Sequence, residues 1–298
     1  MSIISSLTPA QVAGLSTTAI IALETTDIAA LSTAQAAALT TVQVNAMETT
    51  DLQYLVTTQV QALSTNVIRA LLTLQFDAFT ATQVAELTAT QVSVLTAAEI
   101  GVLTTTELQG LSTTQAAALT AAQLGSLTTT VLNDLTTTQI TALTTTQARG
   151  LTWAQLNSLT TANLDALDID ELATSQVAGL SSTAVTNLTT TQIGALSGAQ
   201  IGMLSAAAFN SLTTTELSDL TAAQAGALTS AQIAGLTTTN FAALTSTTGI
   251  PALSTAAIAG IGVDDIEALS TTQGNAFVNT QIQAMTAEQV NALVILIT

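Results

Sequence analysis

The chain has no cysteine, no histidine and no lysine, and its 298 residues include two prolines, one tryptophan and one tyrosine. Each absence removes a class of chemistry. Without cysteine there is no disulfide framework and no thiolate nucleophile. Without histidine the commonest general base and metal ligand are missing. Without lysine, Schiff-base and phosphate-loop chemistry are excluded. Serine and threonine hydroxyls abound, but no base stands ready to activate them. The chain is therefore not expected to be an enzyme. Positive charge is nearly absent as well. Arg69 and Arg149 face nineteen acids, for a net charge of −17. Such a polyanion cannot neutralise phosphates, which argues against nucleic acid and anionic membrane as partners. The charge favours solubility and attraction to Ca²⁺ or cationic surfaces. No uninterrupted apolar run approaches the ~18 residues of a membrane span. The opening MSIISSL has neither a charged leader nor a long apolar core, so no cleavable secretory signal is expected. Low charge and few aromatics suggest disorder, yet 48% of the residues are apolar, which disordered chains are not.

What is present is a repeat of eight residues. From Leu7 a large apolar residue recurs every eighth position through Leu167. The phase then slips by five to Leu172 and runs to Leu244, and slips by nine to Leu253, running to Leu293. Of 37 such slots, 32 are Leu. With that residue as position 1, position 2 is Ser, Thr or Asp in 29 of 37 octads and position 5 is Gln or Glu in 24. Position 6 is mostly Val, Ile or Leu, and position 8 mostly Ala or Gly. Position 7 is mixed and holds both arginines, so it is assigned to the surface.

Thr or Ser followed three residues later by Gln or Glu is a capping box, in which the hydroxyl and the longer side chain each bond the other residue's amide. Position 1 before the cap and position 6 after the Gln supply the hydrophobic staple. In LTPAQVAGL the proline, Pro9, falls at the first helical position, where its missing N–H costs nothing. Three signals thus start a helix at one register in every octad. A single long helix is excluded, because eight residues advance by about 800° and leave the leucine stripe winding by about 80° per repeat. A β-solenoid is disfavoured, because positions 1 and 6 differ by an odd number and Gln and Ala are weak strand formers. The expected fold is all-α: one solenoid over residues 1–298, built of very short capped helices, one per octad, with phase breaks near 168–172 and 245–253.

The first break, DALDIDELATSQV, crowds Asp165, Asp168, Asp170 and Glu171 together. Hard oxygen ligands at close spacing suit Ca²⁺, which makes these four the candidate metal ligands. The alternative is that Asp168 caps a helix, Glu171 completes its box, and the others are solvated. The second break, LTSTTGIPALST, sets Gly249 in the staple position and reads as a bulged connection. Asp264 and Asp265 just beyond it suit a helix N-terminus. Trp153 and Tyr54 read as surface residues.

The stretches LTTTQITALTTTQARGL and LSTTQAAALTAAQLGSL resemble the low-complexity octapeptide arrays of large bacterial surface and secreted proteins, many of them adhesin-like. The resemblance covers nearly all of the chain and brings no catalytic or binding residues with it. It implies an extracellular, structural or adhesive role, with export through an uncleaved C-terminal signal. The leading expectation is a scaffold that associates with itself end to end into a filament or surface layer. Both termini are apolar, and Ile3, Ile4, Ile295 and Ile297 are the candidate self-association residues. The other expectation is a binding module or spacer of an adhesin, whose threonines would meet surface glycans or ice.

Overall fold

A computed structural model of the chain describes residues 3–298. It is helical throughout, and no strand occurs among the described residues. Nearly every octad forms one helix of four to six residues, starting at position 3. The first four are α1 (Pro9–Ala13), α2 (Thr17–Ile21), α3 (Thr25–Ala29) and α4 (Thr33–Ala38).

The caps set these starts as the register requires. Thr88, Thr104 and Thr144 each hold an extended backbone and accept from the amide of the residue three ahead, and that residue's side chain returns the bond. Pro9 occupies the first turn of α1. Helices end without a left-handed residue, for no described residue has a positive φ. The stop is instead the pair at positions 1 and 2. Leu103 (φ −61°, ψ 135°) and Thr104 (φ −68°, ψ 158°) are both extended, and the Leu103 amide closes on Ile100 O at 3.2 Å. Each corner is thus two extended residues, and the next cap begins at the second of them.

The corners fold the chain so that α4 packs on α1, and the helix Thr57–Ala62 packs on α4 in turn. The same rule, each helix on the third one before it, holds along both halves of the chain. One coil is therefore three octads, the twenty-four residues from Leu7 to Ala30. The core is made by positions 1 and 6, exemplified by Leu119 with Leu124 and by Leu135 with Ile140, all buried. Full burial of one such side chain is worth about 1.5–3 kcal/mol, whereas a helix of five residues does not persist alone. The helices survive because neighbouring coils bury them.

Position 8 is small because it lies on position 3 of the coil before. A Cβ on Gly260 would come 2.1 Å from Ser230 O, and one on Gly150 would come 2.6 Å from Ala121 Cβ.

The chain divides into two compact units, Met1–Gly150 and Leu151–Thr298. The first keeps the octad without a slip. Both breaks lie in the second, and neither interrupts the stacking. At the first, a 3₁₀ helix, Ile169–Glu171, stands in for a helix and packs with Thr190–Ala195, the third element after it. At the second, the 3₁₀ helix Ile250–Ala252 packs on Ala222–Gly226, the third element before it. Ile169 and Ile250 are both buried and take the place of position 6. Each precedes the next leucine, Leu172 or Leu253, by three residues, as Leu164 precedes Leu167. That spacing is the invariant, and the stretch between positions 1 and 6 absorbs the change in length. At the second break Gly249 is not the staple residue expected. Residues 245–249 form a turn in which Thr245 Oγ1 accepts from the amides of Thr248 (3.1 Å) and Gly249 (3.0 Å), and Ile250 fills the core.

The last helix, Ala287–Ile297, is eleven residues long and packs on both Val263–Glu267 and Thr271–Gly274. Its end lies over Gly274, whose added Cβ would meet Leu296 Cδ2 and Ile297 Cγ2 at 2.8 Å. Among the described residues no helix is long and apolar enough to cross a membrane.

Candidate functional site

The feature that recurs most is a ladder of glutamine amides. Gln139 shows it whole. Its Oε1 accepts from Thr136 N at 2.8 Å, completing the capping box. Its Nε2 donates to Leu108 O and Leu111 O, both at 2.7 Å, 31 and 28 residues earlier. The acceptors are a carbonyl in the last turn of the helix Thr105–Gly110 and that of Leu111, which opens the corner after it, in the coil before. The same pair of bonds is made by Gln35, Gln83 and Gln91 in the first unit and by Gln232 and Gln281 in the second. These side chains are buried. Each glutamine therefore caps its own helix with the oxygen and binds the preceding coil with the nitrogen. Where position 2 is apolar, the glutamine still serves the backbone, as Gln59 Oε1 accepts from Val56 N at 2.7 Å.

Sequence reasoning found the cap and missed the ladder, although a signal was present. A capping box takes Glu as readily as Gln, yet position 5 is Gln in 20 octads and Glu in four. An ionised carboxylate cannot donate and the amide can, and that bias marks the need for a donor.

Acids at position 5 break the ladder. Asp51 and Glu99 are buried there. Burial, helped by the nearby Glu48 charge, raises the pKa of Asp51 above its ordinary value. Burial raises that of Glu99, opposed only in part by its hydrogen bonds with Thr96. The exposed Glu288 is shifted the other way, by its own backbone amide and then by the Thr286 hydroxyl.

The four acids of the first break do not assemble a metal site. Asp165, Asp168 and Asp170 are exposed and Glu171 is half-buried. Among the described residues no three acids come together closely enough to hold an ion. Asp168 precedes the 3₁₀ helix but makes no side-chain cap bond, so the expected box with Glu171 is not formed either. A coil that needs position 6 at Ile169 points the residues on either side of it outward. Asp265 does act at a helix start, accepting from Gly262 N at 2.9 Å.

Of the four terminal isoleucines, Ile3 (73% exposed), Ile295 (76%) and Ile297 (36%) lie at the surface. Ile4 does not: it is 1% exposed, and its carbonyl accepts from Gln35 Nε2 at 2.8 Å. It serves as the position 6 residue of the 3₁₀ helix Ile3–Ser6, so its expected place on an exposed end is corrected. The exposed apolar surface of the first coil is made instead by Leu7, Leu15 and Leu23, which are half-buried where Leu31 is buried. Gln11 in that coil is exposed, and its Nε2 has no acceptor among the described residues, while its Oε1 holds Thr8 N at 2.8 Å.

Three octads per coil also bring threonines into line. Thr58, Thr82, Thr106 and Thr130 are all exposed and follow one another at position 4, one per coil of the first unit. In the second unit Thr214, Thr238, Thr239, Ala242, Ala243 and Ala268 line a shallow concavity of about 440 Å³ that offers only hydroxyls and methyls. Trp153 is 64% exposed, with Gly179 against its Cβ, and Arg69 and Arg149 are exposed at position 7.

No curated protein matches the chain. A family description, the ALTTAQ repeat, matches twice, at residues 20–57 and 44–81. The chain is thus a repeat array, and a stretch of its first unit carries the ALTTAQ repeat.

Proposed function

We propose that the chain is a non-enzymatic structural scaffold that works outside a bacterial cell and stacks end to end into a filament or surface layer. The observation that carries this reading is the open first coil. Leu7, Leu15 and Leu23 stay half-exposed where inner coils bury the same position, and the Gln11 amide has no acceptor among the described residues. A further coil of the same kind answers both needs. Ile295, Val294 and Ile297 offer apolar surface on the last helix. Head-to-tail contact between unlike surfaces does not close on itself and yields open assemblies. At ~25 cal/mol per Å², a few hundred Å² of apolar surface supplies several kcal/mol, part of which the entropy of association offsets. The net charge of −17 opposes approach, and salt screens it. The bacterial surface setting rests on the likeness to octapeptide arrays of such proteins.

Sedimentation and light scattering test this, on wild type, Ile3→Asp and Ile295→Asp/Ile297→Asp, at low and high salt. Wild type is expected to form species that grow with ionic strength, and both variants to stay monomeric with unchanged helical spectra. A wild type that remains monomeric throughout removes the assembly reading.

A second reading is supported by the aligned hydroxyls of Thr58, Thr82, Thr106 and Thr130. A row of threonines on one face suits a regular surface such as ice or a glycan. Thermal hysteresis and glycan-array binding measure it, and replacement of the four by Val or Lys is expected to abolish either activity.

A further inference from the structure

Glu99 stands where the ladder requires a donor. Its Oε2 takes the capping-box bond from Thr96 N at 2.5 Å, as a glutamine Oε1 does elsewhere. That leaves Oε1 in the place of the glutamine Nε2. Oε1 is buried and has no hydrogen-bond partner, and among the described residues it is the one buried side-chain nitrogen or oxygen in that state. The residue as a whole is 1% exposed. The offsets of 31 and 28 residues, which Gln91 in the octad before and Gln123 in the coil after both keep, assign Ile68 O and Leu71 O as the acceptors it faces. Oxygen against two carbonyl oxygens in a buried corner is repulsive unless a proton lies between them.

We propose that Glu99 makes its coil a pH-sensitive joint, closed by a carboxylic-acid proton that does the work of the glutamine amide. In the closed form Oε1–H donates to the Ile68–Leu71 corner while Oε2 caps the helix. When the proton leaves to solvent, a carboxylate remains, with one oxygen held by Thr96 and the other facing carbonyls. The stacking of Ala97–Val102 on Thr73–Asp77 then loosens.

The neighbours leave this proton as the main source of relief. On the helix before, Asp77 is exposed. The helix after, Ala121–Ser126, has no titratable group, and neither does the flanking Ala89–Val92. On the other flank, Thr105–Gly110, Glu107 Oε2 is held by Thr104 N and Oγ1, both at 2.8 Å. Arg69, in the corner's own chain, is exposed. The raised pKa of Glu99, caused first by burial, agrees with a retained proton. A carboxyl whose folded pKa is raised contributes stability in acid that is lost as the pH climbs through that value.

A cation held between Glu99 and the two carbonyls is the competing arrangement. It would give an ion three protein oxygens in a place closed to water, where Ca²⁺ takes six to eight oxygens.

The test compares thermal melting of wild type and Glu99→Gln from about pH 4.5, near ordinary carboxyl values, to about pH 8, with and without Ca²⁺. The amide cannot lose a proton, so Glu99→Gln is expected to melt several degrees higher at the upper pH, the gap closing as the pH falls. Alongside it, the carboxyl carbon shift of ¹³C-labelled Glu99 in wild type should titrate above the ordinary carboxylate range. A gap that does not change with pH, or a Glu99 that titrates as a free carboxyl, overturns the proposal. So does Ca²⁺ that raises melting of wild type at the upper pH and leaves Glu99→Gln unmoved.

Discussion

Replacing Gln139 by Glu asks what the ladder is worth. The side chain keeps its size and its capping oxygen, and only the donor changes. Two bonds of 2.7 Å, to Leu108 O and Leu111 O, are lost. At about 0.5–1.5 kcal/mol each they account for roughly 1–3 kcal/mol, and leaving a buried polar group facing like atoms adds about 1–3 more. Against this stands a gain of about 0.3–1 kcal/mol for an acid near a helix N-terminus. The terms together span about 1–6 kcal/mol at neutral pH and centre on about 3 kcal/mol. Gln11→Glu provides the comparison, because Gln11 makes the same box with Thr8 but is exposed and donates to nothing described; it should change stability by less than about 0.5 kcal/mol. Repeat arrays do not unfold in one step, so the assay is hydrogen exchange of amides in the affected coil, such as Leu143 N on Ile140 O. At ~1.4 kcal/mol per decade, protection there should fall on the order of 100-fold, while coils beyond the neighbours hold theirs. If Gln139→Glu proves as mild as Gln11→Glu, the ladder contributes nothing and the reasoning fails.

Leu119→Ala, at a buried position 1, should cost about 2–5 kcal/mol through lost burial and a cavity. Thr120→Ala removes the cap that Gln123 N donates to at 3.1 Å and should cost about 0.5–2 kcal/mol, whereas the exposed Arg149→Ala should stay within about 0.5 kcal/mol; denaturant melts of the three rank them. Gly101→Ala meets nothing within 4 Å and should raise stability by about 0.5–1 kcal/mol, while Gly260→Ala drives a Cβ into Ser230 O at 2.1 Å and should lower the melting temperature. Asp51 has a raised pKa from burial and from Glu48, so the stability it contributes is present in acid and lost as the pH rises; Asp51→Asn should flatten that part of the pH profile.

The helix starts were legible because three local signals, cap, box and staple, agree within each octad. Thr88 and Pro9 needed no tertiary information. Three octads per coil were not legible, because that number is set by the angle of corners such as Leu103–Thr104 and not by any residue alone. Ile4 was misjudged by counting it as a terminus; running the octad back from Leu7 puts it at position 6, where it is buried. The metal reading of the acids at 165–171 came from charge density alone, when the need to bury Ile169 between Leu167 and Leu172 already turned Asp168 and Asp170 outward. The unsatisfied Oε1 of Glu99 could not be foreseen while its position was read as a capping residue only.

Buried position 5 glutamines such as Gln139 bind the coil three octads earlier, and the ladder stands or falls on that contact. The most direct measurement is a nuclear Overhauser spectrum of protein in which Gln139 is the only observed side-chain amide. The account predicts slow exchange of those protons and cross-peaks to the Leu108 and Leu111 residues, 31 and 28 positions before. Cross-peaks to corners one, two or four octads away, or an amide that exchanges freely with solvent, would contradict it.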